Sequence, residues 1–201
     1  MSRNDVCAVI LAGGQSRRMG FNKALIDVDG RPIISILIDQ VRKLTNRILI
    51  SSNDDSSYRF LNFPVVPDRF AGCGPLAGLH AAMRSNECSL YVVLACDLPN
   101  LQARLLRSLL SLAEGFDAVI PQTRDGVAHP LCAVYRRTCL PAIEKALENG
   151  TNKFIETFLD STLAVRWVGP DEGVYSQSEL ANINTPEDLQ SLRSRRLLDP
   201  L

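Results

Sequence analysis

Short, nearly continuous apolar runs recur along the chain, separated by stretches whose apolar residues return at helical spacing. Val6 to Leu11, Arg47 to Ser51, Leu90 to Cys96 and Asp117 to Pro121 have strand length and a high content of β-branched residues. Runs with no polar alternation predict parallel strands buried on both faces. Ile33 to Leu44 and Gln102 to Ala113 carry apolar residues on one helical face, and Pro75 opens a third such stretch through Met83, proline being at home in a first helical turn. This alternation predicts an α/β architecture with a mostly parallel sheet covered on both faces, in which ligands bind at the carboxyl ends of the strands. Beyond residue 125 the alternation loosens. A strand at Leu131 to Arg136 precedes a helix at Leu140 to Glu148, a short helix near Lys153 to Leu159, a strand near Ala164 to Val168 and a final helix from Pro186.

A chain of 201 residues without repeats, low-complexity tracts or long linkers is expected to form one domain over residues 1–201, with a frayed tail at Arg193 to Leu201. Lys plus Arg number 22 and Asp plus Glu number 22, so no net field draws the protein to nucleic acid or an anionic membrane, and the expected partner is small. The six cysteines, Cys7, Cys73, Cys88, Cys96, Cys132 and Cys139, have neither CxxC nor zinc-ligand spacing, which reads as reduced core cysteines. The opening MSRNDVCAVILAGG has only a short apolar run ending in glycines, a first strand and not a signal peptide or membrane span. A cytoplasmic protein is expected.

The most informative segment, LAGGQSRRMGFNK at residues 11–23, directly follows the first strand. Gly13, Gly14 and Gly20 permit a backbone whose amides point at an anion, while Arg17, Arg18 and Lys23 supply charge that phosphate oxygens can share. A P-loop needs GxxxxGK followed by Ser or Thr, and a dinucleotide fold needs GxGxxG; neither string is present. A triphosphate suits the segment. So, on composition alone, does a plain glycine-rich turn with solvated arginines.

Asp97, at the end of the Leu90 to Cys96 run, places a carboxylate where such a sheet presents its ligands, and Mg²⁺ favours sparse oxygen ligation completed by phosphates and water. Taken alone, Asp97 reads equally well as a cap on the following turn or helix. Asp68, after Val65-Val66-Pro67, has the same ambiguity. Gly74-Pro75-Leu76-Ala77-Gly78 joins a rigid helix entry to a glycine beside which a flat purine ring could lie, although a packing glycine is the commoner meaning. Ser51, Ser52 and Asn53 suit contacts to base or ribose and equally a turn. His80, on a helix, reads as structural, and His129 before Pro130 has no assigned role; no Ser or Cys partner is legible for either. Cys96 reads as strand packing.

LAGGQSRRMGFNK, GPLAG, CDLP, HPL and NINTPEDL together resemble, in order and approximate spacing, the molybdenum cofactor guanylyltransferase family over nearly the whole chain. The resemblance implies a three-layer α/β/α, Rossmann-like domain of nucleotidyltransferase type that joins GMP from Mg-GTP to the terminal phosphate of molybdopterin and releases pyrophosphate. It implies that Leu11, Ala12, Gly13 and Gly14 line the nucleotide and that Arg17 and Lys23 meet its phosphates. Ser51, Asn53 and Asp68 fall near base and ribose, Gly78 against guanine, and Asp97 on the metal. Asn182 and Asn184 would face the acceptor, where paired amides can bond a pterin or its phosphate. GTP, molybdopterin and Mg²⁺ are the implied ligands, and molybdoenzyme maturation proteins a further class of partner. The family pattern has Asp before the loop lysine where this chain has Asn22. A cytidylyltransferase of the same fold, acting on molybdopterin or on a sugar or polyol phosphate, and a non-catalytic nucleotide-binding accessory protein are the competing readings.

Overall fold

The computed structural model describes residues 5–13, 22–150, 153–159, 162–185, 187–190 and 192. Gly14, Arg17, Arg18, Gly20 and the tail from residue 193 lie outside the described residues. The strands are β1 (Val6–Leu11), β2 (Asp27–Val28), β3 (Arg31–Pro32), β4 (Arg47–Ser51), β5 (Val65–Val66), β6 (Leu90–Ala95), β7 (Ala118–Pro121), β8 (Cys132–Arg136) and β9 (Val165–Val168). The helices are α1 (Ile33–Arg42), α2 (Pro75–Ser85), α3 (Ala103–Ser111), α4 (Leu140–Glu148) and α5 (Phe154–Leu159). Residues 187–190 are helical, in the stretch where the final helix is expected.

Seven strands form one sheet in the order β5-β4-β1-β6-β8-β7-β9, while β2 and β3 form a separate hairpin. β1 pairs in parallel with β4 and β6, β4 with β5, and β7 with β9. β8 is the exception, running antiparallel between β6 and β7. The sequence pattern cannot distinguish its direction, because a strand buried on both faces reads the same either way.

Alternate residues of β1 feed two cores. Val6, Ala8 and Ile10 pack with Ile34, Leu37 and Val41 of α1 and with Leu105 and Leu109 of α3. Cys7, Val9 and Leu11 point to the opposite face, against Leu76, Leu79 and Met83 of α2, Ile143 of α4 and Phe158 of α5. This is the three-layer arrangement the apolar runs require, with both sheet faces dry. Cys7, Cys88, Cys132 and Cys139 are buried free thiols, and desolvation raises the Cys7 pKa to about 12 and pushes that of Cys132 up as well.

Register positions the site. Leu11 at the end of β1 lies opposite Ser51 at the end of β4 and Ala95 at the end of β6, and Ser51 lies opposite Val66 of β5. Because these four strands are parallel, the segments that follow them emerge on one edge: Ala12 and Gly13, Ser52 and Asn53, Asp68, and Cys96 with Asp97. The reversed β8 brings its preceding loop to the same edge, since Cys132 pairs with Leu94 and the Ala95 amide donates to the Leu131 carbonyl.

A candidate nucleotidyl-transfer site at the carboxyl edge of the sheet

At the start of the glycine-rich segment, the Ala12 amide donates to the Ser51 carbonyl at 2.9 Å, which holds the chain leaving β1 against β4. A Cβ on Gly13 would meet the Ser51 carbonyl oxygen and Ser52 Cα at 3.4 Å, and its φ is not positive. Those are ordinary contacts, so neither a steric clash nor the conformational freedom anticipated from the sequence accounts for glycine there. At the other end, Asn22 caps a 3₁₀ turn over Lys23–Leu25, its Oδ1 accepting from the Ala24 amide at 3.0 Å.

Lys23 Nζ donates to Asn184 Oδ1 at 2.8 Å. The loop lysine and the NINTP segment, 161 positions apart in sequence, thus meet directly. The Asn184 and Thr185 amides both donate to the Asp188 carboxylate at 2.9 Å, and the Ile183 amide donates to the Asp97 carbonyl at 2.9 Å. Asn184 therefore stands beside Asp97. Asn182 is exposed on the same segment.

Asp97 does not cap the next helix. Gln102 occupies that position, and the first amide of α3, at Ala103, donates to Gln40 Oε1. Asp97 Oδ1 is instead buried with no hydrogen-bond partner in the structure. Desolvation raises the pKa of this carboxyl, with the Lys23 charge opposing the shift. A dehydrated, unpartnered carboxylate oxygen beside a lysine is what a hard divalent cation can satisfy. Among the described residues no group of three or more His, Cys, Asp or Glu side chains converges, so Asp97 fits a metal that draws its other ligands from phosphate and water.

On the other side of β1, Ser51 Oγ donates to Asp68 Oδ1 at 3.5 Å, and Asn53 Oδ1 accepts from the Asp68 amide at 2.9 Å. The Asp68 pKa is raised by desolvation, against the hydrogen bonds from Asn53 and Ser51. Gly78, in the first turns of α2, faces this group. A Cβ there would overlap Ser51 Oγ and lie 2.8 Å from Leu11 Cδ2, so any side chain at this position must displace one or both of them. Gly74 ahead of α2 has φ +63°, a conformation that L side chains rarely adopt.

His80 is buried on α2, its Nε2 3.1 Å from Glu144 Oε1 and its ring edge-on to Phe70, in keeping with a structural residue. His129 lies elsewhere, in the loop between β7 and β8, and desolvation lowers its pKa while the Asp125 charge opposes the shift. With residues 123–125, Gln177, Leu180 and Ala181 it lines an open cleft of about 690 Å³. The last two of these lead into the segment that bonds Lys23 and Asp97. Cys96 is half-buried, its pKa pushed up to about 12 by desolvation and the Asp97 charge.

Residues 8–163 match the family described as the MobA-like NTP transferase domain. The chain belongs to this family. Among the relatives of this chain, a probable molybdenum cofactor guanylyltransferase of Carboxydothermus hydrogenoformans is 36% identical over 189 residues, covering 94% of this chain and 95% of that protein. A molybdenum cofactor guanylyltransferase of Desulfosudis oleivorans is 33% identical, with 92% and 93% covered. The crystal structure of molybdopterin-guanine dinucleotide biosynthesis protein A from Archaeoglobus fulgidus shares the fold, with a TM-score of 0.80, 24% identity and 95% and 98% covered. As a MobA-like NTP transferase the chain is a nucleotidyltransferase, a class that works with a divalent metal. Among the described residues no helix is long and apolar enough to cross a membrane.

Sequence reasoning missed Tyr58. It is fully buried within a 3₁₀ segment, Ser56–Leu61, while its neighbours Ser57 and Arg59 are half-buried or exposed. Its only signal was an aromatic residue inside the polar stretch SSNDDSSYRF.

Proposed function

We propose that this chain is a molybdenum cofactor guanylyltransferase, a single nucleotidyltransferase domain over residues 1–201 that transfers GMP from Mg-GTP to the terminal phosphate of molybdopterin. The observation that carries this reading is the convergence of Lys23, Asn184 and Asp97. It brings the loop expected to hold the triphosphate, the segment expected to hold the acceptor and a carboxylate with a buried, unpartnered oxygen to a common point. Similarity along more than nine-tenths of both chains to relatives bearing that name supports it.

In this reading Leu11, Ala12, Gly13 and Gly14 border the nucleotide, and Arg17 and Lys23 neutralise its phosphates. Ser51, Asn53 and Asp68 face base and ribose, with Gly78 beside the guanine. Asn182 and Asn184 bond the acceptor. Asp97 holds Mg²⁺, which when bound neutralises charge developing on the departing phosphates. An acceptor phosphate oxygen forms the new bond to the α-phosphorus in line with the bond to the β-phosphate, which breaks and leaves as pyrophosphate. The attacking oxygen is already ionised, so no proton needs removing and no general base is required. The protein contributes alignment of two anions and the cationic groups that allow them to approach. The cytoplasm is the proposed location, and molybdoenzyme maturation proteins are proposed to take up the product.

A thermal-shift comparison of GTP, CTP, ATP and UTP with Mg²⁺ tests the donor, because a ligand bound only by the folded state raises its stability by mass action. GTP-selective stabilisation, followed by pyrophosphate release that needs molybdopterin, is the expected outcome. Preference for CTP would redirect the assignment to a cytidylyltransferase, and binding without pyrophosphate release would mark an accessory protein.

A further inference from the structure

Ala12 and Asn22 flank the glycine-rich segment, and one buried hydroxyl joins them. Tyr58 Oη lies 2.9 Å from the Ala12 carbonyl oxygen and 2.8 Å from Asn22 Nδ2. It also lies 3.2 Å from Asn22 Oδ1. A phenol has a single proton to donate, and one assignment satisfies every group. Tyr58 donates to Ala12, accepts from the Asn22 amide, and leaves Asn22 Oδ1 to the Ala24 amide, whose 3.0 Å bond caps the turn carrying Lys23.

The ring is held from its own side. Tyr58 is 0% exposed. Its amide donates to the Asp55 carbonyl, and the Asp54 carboxylate accepts from the Ser57 amide at 3.2 Å and from the Ser56 hydroxyl at 2.6 Å. Burial raises the Tyr58 pKa, so the phenol keeps its proton near neutral pH.

We infer that Tyr58 is a positioning residue for the nucleotide loop: its hydroxyl clamps the two ends of the glycine-rich segment together and so sets where Lys23 is presented. The inference rests on reading that segment as the triphosphate site. It also accounts for Asn at position 22. A carboxylate is acceptor-only, so with Asp there the single phenolic proton would serve either the side chain or the Ala12 carbonyl, not both.

Tyr58→Phe keeps the ring and removes only the clamp. In the whole chain without ligand, exchange of the Ala24, Leu25 and Ile26 amides is expected to accelerate about tenfold, as for loss of one buried hydrogen bond, while β1 and β6 amides are unchanged. In the enzyme assay the KM for Mg-GTP is expected to rise about tenfold, more than the KM for molybdopterin, with kcat altered far less. Asn22→Asp, which preserves shape, is expected to accelerate the same three amides and provides the test if Tyr58→Phe fails to fold. Unchanged exchange at these amides in either variant would overturn the clamp. So would equal acceleration in β1 and β6, or a fall in kcat with the KM for GTP unmoved, since both describe a merely structural residue. A wild-type protein indifferent to GTP, with local acceleration still present, would support the clamp and sink the nucleotide assignment instead.

Discussion

Replacing Gly78 by alanine sets two opposing effects against each other. In an exposed helix interior the change stabilises by about 1 kcal/mol, because glycine loses more backbone freedom on folding. At this position the new Cβ overlaps Ser51 Oγ and lies 2.8 Å from Leu11 Cδ2 and 3.4 Å from Ser51 Cβ. Ser51 and Leu11 are only 3% and 7% exposed, so neither has open space to retreat into. Overpacking of this kind costs ~1–3 kcal/mol, leaving a net loss of about 0–2 kcal/mol. For a domain of this size that is a fall in Tm of up to about 8 °C. The clash also turns Ser51 away from Asp68, so the variant is expected to lose part of its thermal response to GTP. Denaturant unfolding of Gly78→Ala, Ser51→Ala and the double variant measures the term directly. Removing Oγ should recover about 1 kcal/mol of the Gly78→Ala cost as a coupling energy. A Gly78→Ala protein about 1 kcal/mol more stable than wild type, additive with Ser51→Ala, would refute the reasoning and return the position to an ordinary helix glycine.

Asp97→Asn is expected to abolish pyrophosphate release while the unliganded protein keeps its far-UV circular dichroism and at least wild-type stability, because the buried oxygen it alters has no partner to lose; residual turnover above 10⁻² of wild type, on the order of 3 kcal/mol, would remove Asp97 from the metal role. Lys23→Met should weaken GTP use and also free Asn184 from its 2.8 Å bond, so the KM for both substrates is expected to rise, and an effect on neither would exclude Lys23 from the site. His129 has a pKa lowered by burial from the ordinary 6.5, so the unfolded chain takes up its proton first as pH falls. Its contribution is complete above about pH 6.5 and is lost as pH drops through the lower folded-state value. His129→Gln should therefore flatten the decline of unfolding free energy between pH 7.5 and pH 5.5, in the range of ~5–8 where His titrates; an unchanged slope would contradict the shift.

Most of the α/β alternation was legible along the chain because strands and helices buried on a dry sheet carry long, uninterrupted apolar signals. β1, β4 and α4 occupy the residues their patterns predict, and β6, β7 and α3 differ only at their ends. The 3₁₀ segment at Ser56–Leu61 and the β2–β3 hairpin were not, since two-residue strands and single turns bury too little to leave a period. Lys23 and Asp97 could be singled out from residue type and position, and the NINTP asparagines from the family resemblance. Their meeting could not, because it depends on the parallel register that aligns Leu11, Ser51 and Ala95 at one edge and on the Ile183 amide finding the Asp97 carbonyl. Gly78 shows the same division at a single position. Its residue type was visible as a small residue at a helix start, but its close contact with Ser51 and Leu11 comes from side chains of β4 and β1 that only the packed sheet brings together. Local sequence determines what each segment can bury and which chemical groups it carries, whereas which of those groups face one another across β1 is a property of the assembled sheet, because contacts between distant segments are made only when burial has fixed their register.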